Sequence, residues 1–196
     1  LGQEEKMIKY DTIKEICDKA EARGIKISEL CLEDQSEQMG LPKEEIYEMM
    51  EKNFDVMVDS VGKGGDKNLR STSGLTGGEG ATMLEYSQKA QGGLMGEFMT
   101  KAIGRAMCVS NCNAAMGRIV ATPTAGSCGI LPGCLVSMYQ DKGYNKKDIV
   151  MSIFTAAAFG MVIAKQASIA GAEGGCQAEC GSASGMAAGS LVELMG

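Results

Sequence analysis

Apolar residues at helical spacing organise the first sixty residues. Ile13, Ile16, Cys17 and Ala20 fall on one face, and Gly24 follows as a left-handed stop. Ser28 is placed to cap a second short helix that ends near Gly40. Pro42 suits the first turn of a third helix, where Glu44 and Glu45 complement the dipole. Its apolar stripe runs through Ile46, Met49, Met50, Met57 and Val61. No residue in this stretch suggests catalysis, so residues 1–61 are expected to form a helical appendage to a domain spanning 62–196.

The texture then changes. Residues 62–67 read as a charged, flexible turn, and residues 70–79 as a loop rich in hydroxyls and glycines. A helical region from about Met83 to Arg105 contains Gly92 and Gly93, where a kink or break is expected. Small residues crowd 107–118, a second hydroxyl and glycine loop covers 121–129, and a helix follows from about Ile130 to Tyr139. The stretch from Asp148 to about Ala170 is apolar on nearly all sides and is expected to be the central helix. A glycine-rich loop, GAEGGCQAECG over residues 171–181, then leads into a small-residue helix from Ala183 to Met195. The fold class expected is all-α: a multi-helix bundle around a central apolar helix, with the glycine-rich loops converging at one end.

Composition sharpens this picture. Aromatic content is only 5% with no Trp, while 15 Met and 27 Gly suit helices packed closely through small side chains. The net charge of −6 disfavours nucleic acid and anionic membrane surfaces as partners. The longest apolar run, residues 149–164, falls short of the ~20 residues of a membrane span. With no charged-then-apolar leader, a cytoplasmic location is expected. The chain has no His, which excludes Ser-His-Asp and Cys-His chemistry and imidazole ligands from its own residues. Eight cysteines without a secretory signal read as reduced thiols rather than a disulfide scaffold.

Candidate chemistry lies in three segments. Loop 71–80 offers Ser73 and Thr76, and loop 122–129 offers Thr122, Thr124, Ser127 and Cys128 beside amides at a helix entrance. Helix-entry turns with capping hydroxyls give the same pattern, and neither loop fits a phosphate-binding or dinucleotide fingerprint. Among the cysteines, Cys17 and Cys31 are expected in the core and Cys134 inside a helix. Cys108 and Cys112 lie one turn apart, either facing one site or filling a close helix contact. Cys128 is a candidate for lining an active site. Cys176 and Cys180 are the best placed to bind metal, because thiolates among glycines suit a cluster whose sulfurs accept backbone N–H bonds.

The segments NAAMGRIVATPTAGSCGILPG (residues 113–133) and SIAGAEGGCQAECGSAS (168–184), with SGLTGG (73–78), closely resemble the α subunit of iron–sulfur-dependent L-serine dehydratases. The resemblance covers nearly the whole chain. It implies dehydration of L-serine to pyruvate and ammonia by an oxygen-sensitive [4Fe–4S] cluster with one open iron acting as Lewis acid. It assigns Cys176 as the first cluster ligand. The family's other two ligands lie in a later segment that this sequence does not contain, so an inactive fragment of the catalytic subunit is expected. A β subunit of the same enzyme is the implied partner, and an oligomer the implied state. Donors for the substrate are expected from Ser73, Thr76, Asn113, Thr122, Thr124 and Ser127, with the general base unassigned. Two alternatives stay open: a related cluster lyase acting on another small amino acid, such as a cysteine desulfidase, and a non-enzymatic thiol or metal-binding subunit.

Overall fold

A computed structural model describes residues 9–89 and 93–196. Among the described residues the chain forms eight α-helices and no strand, as expected of an all-α bundle. Helix α1 is Ile13–Arg23, opened by Thr12, whose Oγ1 accepts from the Glu15 amide at 3.1 Å. Gly24, at φ +64°, closes it by turning its own N–H back onto Ala20 and Glu21. Helix α2 is Ile27–Met39. Its first residue follows Lys26 and not the expected cap Ser28, which is fully buried in the first turn. Glu29 instead reaches back to the Lys26 amide at 3.2 Å.

Helix α3 is Lys43–Gly64, so the turn expected from Gly62 is still helical. Glycine is required at its end by a close crossing: a Cβ on Gly64 would lie 1.7 Å from the Cys108 carbonyl oxygen. Its buried face holds Ile46, Phe54, Met57 and Val61, whereas Met49, expected in the stripe, is exposed. Helix α4 is Glu79–Lys89 and α5 is Gly96–Ala114. The helical region expected over about 83–105, with a kink or break at its glycine pair, is thus two helices. Gly92 lies outside the described residues, while Gly93 (φ +59°) opens a short 3-10 turn and Gly96 (φ +75°) starts α5. Helices α6, Ile130–Asp141, α7, Lys146–Gln166, and α8, Gly171–Met195, complete the order.

Two compact units divide the chain, one of residues 1–52 with 147–196 and one of residues 53–146. The boundary expected at residue 61 falls inside α3, and the N-terminal helices share a unit with α7 and α8. Within that first unit, Ile16 and Leu30 of α1 and α2 line one cavity with Ala158, Met161 and Val162 of α7. Against α8, Gly189 lies under the Phe159 ring and Gly160 under Met186, contacts that only small residues allow. The expected central helix therefore starts two residues earlier and ends four sooner than anticipated, but it does form the middle layer of this unit. With its flanks included, α7 is long and apolar enough to cross a membrane by length and composition, unlike the shorter run anticipated from sequence; half of its most apolar window is buried.

In the second unit, α5 is the axis between α4 and α6. Gly104 lets Leu84 of α4 approach, and Gly133 of α6 fits against Ala102 and Ala106. Arg105, 7% exposed, bonds Ser137 Oγ at 2.7 Å and Asp141 Oδ2 at 2.5 Å. Burial pushes the Asp141 carboxyl up, but the Arg105 hydrogen bond and charge outweigh it and hold the group below its ordinary value.

Candidate active site

Two loops meet at the C-terminal end of α5. Asn111, 7% exposed, accepts from the Gly80 amide at 3.1 Å and donates to Glu79 Oε2 at 2.8 Å. Two residues on, Asn113 Nδ2 donates to the Ala125 carbonyl at 3.1 Å, inside the other loop. The Thr72 amide also donates to the Ala114 carbonyl at 3.3 Å. One helix end therefore holds both hydroxyl-rich loops by side-chain amides.

The first loop is built by its own glycines and serines. The Ser71 amide donates to the Thr76 carbonyl at 2.8 Å, the Thr76 amide returns to Ser71 Oγ at 3.2 Å, and Ser73 Oγ pairs with Ser71 Oγ at 3.1 Å. Gly77, at φ +140°, sits where a Cβ would strike the Leu69 carbonyl at 2.0 Å. Ser73 and Thr76 remain exposed. Glu79 accepts from the Gly77 amide at 2.8 Å, and that bond, with its Asn111 bond, holds its carboxyl below the usual range. An acceptor so engaged braces the loop and is poorly suited to take a proton from substrate.

The second loop is more enclosed. Ser127, 2% exposed, donates to the Thr122 carbonyl at 3.1 Å and lies 3.3 Å from Thr124 Oγ1. Its hydroxyl is committed to the loop. Thr122 is 6% exposed, and its Oγ1 has no hydrogen-bond partner. Cys128, a candidate to line a site, is instead buried, and burial pushes its thiol up to about 11. Thus Thr122, Thr124 and Ser127 are joined directly, Asn113 reaches their loop through the Ala125 carbonyl, and Ser73 and Thr76 reach the same helix end through their own loop. Asn111 and Glu79 are the residues that sequence reasoning missed; the pair of asparagines around Cys112 was the available signal.

The motif over 171–181 is not a loop. It forms the first turns of α8, where Gly175 alone leaves helical geometry at φ 72°, ψ 179°. Ala, Glu and Gln between the glycines carry enough helix propensity to continue the helix on either side. Cys176 follows that break and is exposed, with its Sγ 3.7 Å from Cys180 Sγ. The hydrogen bond to Cys176, then burial, raises the Cys180 thiol above its ordinary value. The remaining thiols differ. Cys31 is pushed up to about 12 and Cys108 to about 11 by burial, and Cys112 and Cys134 rise for the same reason. Cys17, expected in the core, is exposed, because Ile16 and Ala20 alone carry the buried face of α1.

The family model for serine dehydratase alpha chain matches residues 22–196. The chain belongs to the serine dehydratase alpha chain family. It is 40% identical over 187 residues to the probable L-serine dehydratase alpha chain of Bacillus subtilis, covering 95% of this chain and 62% of that one. The L-serine dehydratase alpha chain of Peptoniphilus asaccharolyticus is also 40% identical, over 186 residues, with 95% and 63% covered. An L-serine dehydratase of Streptomyces coelicolor is 35% identical over 188 residues, covering 95% of this chain and 41% of that protein. The chain thus spans less than two thirds of the length of these relatives. Toward the cluster that the resemblance implies, the chain offers the exposed thiol of Cys176 at a glycine break, and among the described residues no group of three or more His, Cys, Asp or Glu is placed to hold a metal ion.

Proposed function

We propose that this chain is part of the α subunit of an iron–sulfur L-serine dehydratase, converting L-serine to pyruvate and ammonia together with a β subunit in a cytoplasmic oligomer. The observation that carries the reading is the exposed Cys176 in the GCQAE motif, beside the non-helical Gly175, in a family of serine dehydratase alpha chains. A [4Fe–4S] cluster held in part by Cys176 would supply a Lewis-acidic iron for departure of the β-hydroxyl. The chain's own contribution is to hold and orient the amino acid. Thr122 Oγ1, buried and unpartnered, is the donor with most to gain from a substrate carboxylate. Ser73 and Thr76 present hydroxyls from the first loop, and Thr124 lines the second. Asn113 and Ser127 also keep that second loop in shape, donating to the Ala125 and Thr122 carbonyls.

The test uses the complete α subunit with its β partner, reconstituted anaerobically with iron and sulfide. Pyruvate should form from L-serine, and activity should fade in air. Cys176→Ser should abolish the cluster absorption while Cys17→Ser leaves it intact. A Cys176→Ser enzyme with full cluster absorption and turnover would overturn the assignment.

A further inference from the structure

The spacing of the two thiols on α8 fits a chemistry of its own. Gly175 is the only residue of α8 outside helical geometry, so Cys176 to Cys180 is a regular i, i+4 helical step. Side chains at that step have Cβ atoms about 5–6 Å apart. A disulfide requires Cβ atoms about 3.5–4.5 Å apart, so oxidation would have to unwind the turn. A bridging ion has no such requirement. Two thiolates on one tetrahedral metal, each at about 2.3 Å, stand about 3.8 Å apart by simple trigonometry. The observed Sγ–Sγ distance is 3.7 Å.

We propose that Cys176 and Cys180 form a bidentate site for a single thiophilic divalent cation of tetrahedral preference, of the zinc or ferrous class. Cys176 is exposed and Cys180 half-buried, so an ion reaches both sulfurs from solvent without disturbing the core. Of the other cysteines, Cys31, Cys108, Cys112 and Cys128 are buried, which closes them to an incoming ion. No third His, Cys, Asp or Glu completes the set among the described residues. The two remaining positions go to water or a small soluble thiol, so the bound ion stays exchangeable. This inference does not rest on the dehydratase reading: the sulfurs chelate an ion whether or not the chain ever holds a cluster. If that reading also holds, the mononuclear ion and the cluster compete for the Cys176 sulfur.

The experiment titrates the reduced, metal-free 196-residue chain with cobalt(II) under anaerobic conditions, then with zinc. One cobalt per chain should bind with thiolate-to-metal charge-transfer and tetrahedral d–d absorption, and one zinc should displace it. Cys180→Ser leaves a monodentate site, and binding should weaken roughly 100-fold, the loss expected when an intramolecular second ligand is removed. Cys17→Ser, removing the other exposed thiol, should bind as the parent does. Circular dichroism verifies that each variant is folded. Absence of thiolate bands in the parent, or parent-like affinity in folded Cys180→Ser, overturns the proposal. Pyruvate formation plays no part in the readout, so failure here and failure of the dehydratase reading are separate results.

Discussion

Replacing Asn111 tests whether one side-chain amide holds the first loop against α5. The Gly80 amide it accepts from is buried, and the space beside it is filled: a Cβ on Gly80 would lie 2.6 Å from Cys108 Sγ. Asn111→Ala removes the side-chain acceptor of this buried amide, at a cost of about 1–3 kcal/mol. Asn111→Asp keeps the acceptor but sets a second carboxylate against Glu79, where the amide nitrogen now sits at 2.8 Å. Two carboxylates at that range cannot both stay ionised, so the folded variant holds a proton that the unfolded chain releases at neutral pH. Its folded carboxyl value is raised, and its stability deficit against the parent shrinks as pH falls from 7 towards 5. Urea unfolding followed by circular dichroism at both pH values supplies the comparison. The reasoning is refuted if Asn111→Ala unfolds at the parent's midpoint, or if the Asn111→Asp deficit is the same at pH 7 and pH 5.

Other outcomes follow from the same geometry. Asp141→Asn removes the charge facing the buried Arg105 and should cost about 2–4 kcal/mol at pH 7. Because the Asp141 carboxyl is depressed in the fold, this contribution is present above its unfolded value near 4 and is lost as pH falls through the lower folded value, so parent and variant should converge in acid. Gly64→Ala forces a Cβ into the Cys108 backbone and should cost about 2 kcal/mol or more in thermal or urea unfolding, whereas Gly160→Ala meets only the flexible Met186 side chain and should cost less. Pulse alkylation of the native chain with peptide mapping should label Cys17 and Cys176 first and leave Cys31, Cys108, Cys112 and Cys128 protected until denaturant is added.

Helices were legible in the sequence wherever a one-sided apolar pattern was long enough, and the details failed where a distant contact decided them. The stops at Gly24 and Gly40 follow from local backbone demands and appear as expected. Ser28 is no cap, because its amide bonds Glu193 Oε2 from a helix 165 positions away. Residues 62–64 stay helical, and Gly64 there lies against the Cys108 backbone, a contact that local sequence does not reveal. The cysteine-rich glycine motif looked like a loop because glycine lowers helix propensity, yet only Gly175 departs. For the site, the hydroxyl residues were visible as a composition, but the amides that gather them were not: Asn111 matters through partners 31 and 32 residues earlier, Gly80 and Glu79. Exposure of Cys17 was hidden for a simpler reason, since a cysteine on an amphipathic helix reads as apolar whichever side of the boundary it occupies.

The discontinuous first unit has a consequence for biosynthesis. Its helices α1 and α2 are made early, while their apolar cover on α7 and α8 emerges only after residues 53–146 have left the ribosome. Until then Ile16 and Leu30 lack the cover that α7 provides, and the nascent chain carries a partly uncovered greasy face for several seconds at ordinary elongation rates. The intervening helices, rich in neighbour-to-neighbour contacts, are free to condense first. Their condensation shortens the path that separates residues 1–52 from residues 147–196.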